Sequence, residues 1–121
     1  MILALSANAF ANSVNDMPNR FLSCQETDNG AVVLDGGKYL SLSKDQFGQV
    51  YLNVTQKDRL NQDRALLLNL PMRKISCNGY IPCEKYTSEN QGTNVGINYG
   101  PKTEAFLSSS TLGQIDFICK K

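Results

Sequence analysis

Between residues 50 and 55, Val50, Leu52 and Val54 alternate with Tyr51, Asn53 and Thr55. Side chains of an extended chain point alternately to opposite faces, so this period of two predicts a half-buried strand. The alternation recurs in 38–43, where Leu40 and Leu42 would face inward and Tyr39 and Ser41 outward. It recurs again at Val95, Ile97 and Tyr99, and at Ile115, Phe117 and Cys119. Shorter strands are expected at 20–26, 31–34 and 105–107. Turn chemistry separates them: Asp28-Asn29-Gly30, Asp35-Gly36-Gly37 and Gly100-Pro101. The Asp35-Gly36-Gly37 turn is expected to join 31–34 and 38–43 as a hairpin. Residues 84–96 are polar and read as loop. Residues 56–63 fit either an extended hairpin loop or a short helix.

The densest aliphatic run, Ala65 to Leu70, lies in RALLLNLPMRKISCNGYIPC, residues 64–83. A regular strand there would place Leu66, Leu68 and Leu70 on one face and Leu67 on the other, so it would be covered on both sides or cross between sheets. Pro71 cannot donate to a ladder, so a bend or bulge is expected at that point. The strand would resume at 75–77 and run into a loop between Cys77 and Cys83.

Short strands at even spacing, with almost no helical periodicity, predict an all-β fold. The expectation is one small antiparallel barrel or sandwich of about seven or eight strands with two disulfides. A chain of 121 residues holds one such domain. It is placed at 20–121, after a segment 1–11 and a tail 12–19. Segment 1–11 is apolar at Met1 to Leu5 and carries small-x-small patterns at Ala7-Asn8-Ala9 and Ala9-Phe10-Ala11. It reads as the end of a secretory signal, short and without a basic start. No apolar run approaches the about 18 residues of a transmembrane helix.

Four cysteines in a small, exported chain imply two disulfides. Of the three pairings, Cys77–Cys83 and Cys24–Cys119 are preferred. The first closes over the turn residues Asn78 and Gly79, and the second pins the first strand to the last. Neither zinc spacing nor a redox C-x-x-C is present, so no metal and no cofactor is expected. The protein has 12 Lys and Arg against 11 Asp and Glu, a net charge of +1, and no run of like charge. That gives no electrostatic footprint for nucleic acid.

Histidine is absent. Its absence excludes Ser-His-Asp and Cys-His nucleophile pairs, and the expectation is that the protein is not an enzyme. The carboxylates are scattered, and most stand beside turn residues, so they are assigned to turns and surface. The serines at 108–110 have no accompanying base.

The most distinctive polar segment is 88–107, SENQGTNVGINYGPKTEAFL. It offers Ser88 and Gly92 at a loop, then Ile97 and Tyr99, then Lys102, then Glu104, Ala105 and Leu107, with Cys119 beyond. Over about a fifth of the chain this resembles the membrane-bound C-type lysozyme inhibitors. The resemblance implies a small antiparallel barrel with a disulfide, whose Ser and Lys enter the lysozyme cleft and bond its catalytic carboxylates. On that basis Ser88, Tyr99 and Lys102 are candidate partner-binding residues. Asn78, Gly79, Tyr80 and Ile81, at the tip of the cysteine loop, form a second candidate surface.

The expected function is therefore a periplasmic or secreted domain that binds another protein. The narrower expectation is an inhibitor or immunity protein that inserts a polar loop into a cell-wall hydrolase such as lysozyme. The alternatives are a structural or adhesive envelope module and, behind it, a His-free hydrolase or sugar-binding protein.

Overall fold

A computed structural model describes residues 19–57 and 64–120, and these residues are all strand, turn and loop. The segments expected at 1–11 and 12–18, and the 58–63 part of the loop-or-helix stretch, lie outside the described residues. Asn19 already belongs to the first strand. The strands are β1 (Asn19–Asp28), β2 (Ala31–Val32), β3 (Lys38–Lys44), β4 (Val50–Lys57), β5 (Arg64–Ile75), β6 (Cys83–Ser88), β7 (Thr93–Tyr99), β8 (Thr103–Ser109) and β9 (Gly113–Lys120).

Leaving out β2, eight strands follow one another as an antiparallel meander, and β9 returns to pair with β1. The sheet is thereby closed into a barrel, as one of the two expected architectures. The short β2 is an extra strand on the upper end of β1. Both expected disulfides are formed. Cys24 and Cys119 stand directly opposite each other on β1 and β9, so this bridge fastens the seam where the barrel closes.

A barrel of eight strands has an interior just wide enough to be filled by side chains. The inward rows supply Leu22, Leu40, Leu42, Leu52, Val54, Val95, Ile97, Leu107 and Phe117, each no more than 2% exposed. Register explains the fit. Leu42 opposes Leu52, Leu40 opposes Val54, and the bulky Phe117 opposes the small Ala105.

Three local expectations are corrected. Residues 84–96 are not a single loop: β6 occupies Cys83–Ser88 and β7 begins at Thr93. Residues 31–34 and 38–43 do not form a hairpin. Instead β2 and β3 lie end to end along the same edge of β1, and the true hairpin turn is Asn29-Gly30, both at positive φ. The aliphatic run on β5 is not covered on both faces. A register shift opposite Val54 and Thr55 leaves Leu67 as an extra residue, so Leu67, Leu68 and Leu70 pack partly on the core while Leu66 is 60% exposed. The irregularity therefore falls at Leu67 rather than at Pro71. Proline is tolerated at 71 because the β6 ladder begins only at the next residue, Met72.

The meander gives the barrel two ends. The upper end carries the turns 29–37, 89–92 and 110–112. The lower end carries the turn 45–49, the loop 76–82, the turn 100–102, and the outer ends of β1 and β9.

Candidate functional site

The two surfaces expected from the sequence are redistributed by this topology. Lys102, in the β7–β8 turn, is exposed at the lower end. So is the loop 76–82 with Asn78, Gly79, Tyr80 and Ile81, and these become one surface. The backbone N–H of Tyr99 donates to the Pro82 carbonyl at 2.8 Å, which fastens the cysteine loop to the start of the Lys102 turn. A Cβ at Gly100 would come within 3.7 Å of the Ile81 Cγ2, so the turn and the loop tip lie side by side. Tyr80 is completely exposed and Ile81 is 47% exposed.

Ser88 is elsewhere. It ends β6 at the upper end, separated from Lys102 by the whole of β7, about 20 Å at the usual strand rise. It is buried, and its hydroxyl donates to Asn90 Oδ1 at 2.8 Å and accepts from the Thr93 N–H at 3.1 Å. Asn90 Oδ1 in turn accepts from the Gly92 N–H at 2.9 Å. These bonds are what a tight polar turn requires, and they hold Ser88 as a turn-building residue.

Tyr99 has a supporting position. Its hydroxyl donates to Glu84 Oε1 at 2.6 Å, while Lys74 Nζ lies 2.9 Å from Glu84 Oε2. Tyr86, on the same inward side two residues along β6, adds a smaller interaction with this carboxylate. Glu84 lies opposite Ile97 and shares its inward side, so the cluster closes the lower mouth of the barrel with polar groups directly beneath the stapled loop. Glu84, expected among the scattered surface carboxylates, stands instead at the centre of this cluster. The available signal was the alternation of Glu84 and Tyr86 on a six-residue strand, hidden by the strand's polarity.

Burial alone would raise the Glu84 pKa. The hydrogen bonds from Tyr99 and Lys74, the Lys74 charge and the smaller Tyr86 interaction outweigh it and hold the carboxyl below its ordinary 4.5. A carboxyl lowered in the fold stabilises it fully above the unfolded-chain value and loses that contribution as pH falls through the folded value. Tyr86 is shifted the other way, to about 12, by burial and then by the Glu84 charge, and Tyr99 is raised for the same reasons. Their contribution is complete below the ordinary 10 and is lost as pH rises toward 12. Thermal unfolding measured across pH should therefore fall off below 4.5 and again above 10. In Glu84→Gln both slopes should be shallower, and unchanged slopes would show that the cluster is not formed.

Charge is distributed unevenly between the ends. Lys44, Lys74, Lys85 and Lys102, with Arg20 and Lys120, stand toward the lower end. Glu26, Asp28, Asp35, Glu89 and Asp116 stand toward the upper end, where Lys38 and the strand-end positions 57 and 64 also carry basic residues. Of the lower-end carboxylates, Glu104 is exposed on β8 beside the Lys102 turn, while Asp45 and Glu84 are engaged: Asp45 Oδ1 accepts from the Phe47 and Gln49 N–H groups, each at 2.9 Å, and Glu84 pairs with Lys74. The Asp45 turn also lifts Phe47 into solvent, 85% exposed. The lower end thus combines exposed apolar and aromatic tips with positive charge. Among the described residues no group of metal-ligating side chains gathers, and no helix is long and apolar enough to cross a membrane. Comparison with protein-family models, with curated proteins and with solved structures finds no match.

Proposed function

We propose that this is a non-catalytic, exported binding domain whose lower end docks onto another protein, with a cell-wall hydrolase such as a lysozyme as the target. The observation that carries the reading is the rigid presentation of Tyr80 and Ile81. They stand in solvent on a loop stapled by Cys77–Cys83, pinned to β7, and set beside Lys102 at the cationic end. Tyrosine offers a large contact area at low ordering cost, and a stapled loop has little further entropy to lose on binding. A cation at the rim suits a cleft lined by carboxylates, as in glycoside hydrolases with their paired acids. The choice of a lysozyme rests on the segment resemblance, with Lys102 in its role and Ser88 no longer in one. Disulfides form in oxidising compartments, which supports a periplasmic or secreted location.

Lysis of bacterial cell walls by lysozymes of the several types, with and without the purified disulfide-intact protein, tests the target. Stoichiometric inhibition of one type is expected, and no inhibition of any would remove the hydrolase from the proposal. An adhesive or structural module is the second reading, favoured by one observation. β5 pairs with β4 along its length but with β6 only from Met72 onward, so among the described residues its upper half has no partner on that side, beside the exposed Leu66. Such an edge can accept a partner strand.

A further inference from the structure

A hollow of about 480 Å³ lies on the outer wall of the barrel, away from the stapled loop. Strand register shows how it is made. Lys120, Ser23, Ser41 and Asn53 form one row across β9, β1, β3 and β4, and Ile118, Gln25, Tyr39 and Thr55 form the next. Both rows face outward, because Cys24, Leu40 and Val54 on the same strands are buried. Ser23 and Ser41 oppose each other, so two short side chains sink the middle of the wall while longer ones stand around it. Its size falls within the about 300–1,000 Å³ of small-molecule sites.

The lining sets polar groups among apolar surface from Val32, Ile118 and the Cys24–Cys119 bridge. The amides of Gln25 and Asn53 and the hydroxyls of Ser23, Ser41 and Thr55 each can donate and accept, as sugar hydroxyls require. The Tyr39 ring gives one wall an aromatic surface for the C–H face of a sugar. Among the described residues no carboxylate lines the hollow, whereas Arg20 and Lys120 do, and neither is in an ion pair with a described residue. An arginine fork matches a carboxylate through paired, charge-assisted bonds.

We propose that this hollow binds an acidic saccharide, a short glycan in which a sugar carboxylate is held by Arg20 and Lys120 and the hydroxyls by the amide and serine row. The hollow and the loop 76–82 are different groups, but Arg20 and Lys120 also belong to the positive lower end, so Ser41→Leu, which leaves both charges in place, is the variant that alters the hollow alone.

The test is titration of the purified chain, both disulfides intact, with a hyaluronan hexasaccharide, followed by amide NMR shifts. Chitohexaose serves as the neutral counterpart and inorganic phosphate as the simple anion. Saturable shifts at Ser23, Ser41 and Asn53 are expected, with chitohexaose about tenfold weaker because it lacks the charge-assisted bonds. Arg20→Gln with Lys120→Gln should weaken the uronate glycan by about tenfold or more. Ser41→Leu, which fills the hollow and leaves both charges, should also weaken it. Thermal unfolding of each variant should match the parent. Absence of saturable shifts would overturn the proposal. So would equal binding of chitohexaose, phosphate binding as tight as the glycan, or full binding by Ser41→Leu, which would leave only a nonspecific basic patch.

Discussion

Replacing Cys24 and Cys119 together by alanine is expected to lower the unfolding free energy by about 4–5 kcal/mol. The two residues are 95 apart in sequence, so their bridge ties nearly the whole domain into one loop. In the loop-entropy model a closure of that length removes far more freedom from the unfolded chain than a short one does. The Cys77–Cys83 bridge, with a separation of 6, is worth about 2–3 kcal/mol on the same model. The position adds to the effect. Cys24 and Cys119 hold β1 to β9, the one contact in the barrel that joins strands from the two ends of the described chain. Stabilities of small domains are about 5–15 kcal/mol, so the double variant should sit close to unfolding. Urea unfolding checks this. A loss of under about 1 kcal/mol would mean that the β1–β9 hydrogen bonds hold the closure without the bridge.

Phe117→Ala should cost about 3–5 kcal/mol, the range for emptying a buried aromatic site. Phe117 is 1% exposed and is among the largest of the fully buried side chains. Its cross-strand neighbour Ala105 cannot expand into the space. Phe106 supplies a control from the same barrel wall. It opposes Asp116 on the outer face and is 39% exposed, so Phe106→Ala should cost well under half as much. Similar losses at the two positions would contradict the inward and outward assignment of β8 and β9.

Much of this barrel was legible because its walls are one-sided. Where one face meets the core and the other meets water, as in β3, β4, β7 and β9, hydrophobic alternation marks the strand directly. The cysteine positions then implied the seam. β6 was illegible for a physical reason. In Cys83–Ser88 the inward side carries Glu84 at the barrel mouth and the polar Ser88 at the turn, and only Tyr86 between them joins the core, so a strand takes the composition of a loop. The Leu66 to Leu70 run misled in the opposite sense. Its richness suggested burial on both faces, but a bulged residue shifts the side-chain phase and leaves Leu66 outside.

The lower-end surface was half legible. Tyr80, Ile81 and Lys102 were each recognisable as loop residues, but nothing local says that two loops meet. That follows from strand count and from the Tyr99–Pro82 backbone bond. The separation of Ser88 from Lys102 was within reach, since a full strand between two turns sets them at opposite ends. The wall hollow was not, because its serines come together only through the register of β1 on β3.

The central claim is that the stapled lower end makes the contact. Inhibition constants against any lysozyme type found to be inhibited in the lysis assay, measured for Tyr80→Ala, Lys102→Ala and Ser88→Ala, test it most directly. Each of the first two should raise the constant by about 30-fold or more, as expected for an interface aromatic or a charge-paired lysine. Ser88→Ala should lower thermal stability and leave the constant unchanged. Unchanged inhibition by Tyr80→Ala and Lys102→Ala, with inhibition lost in Ser88→Ala, would contradict the account and move the contact to the other end of the barrel.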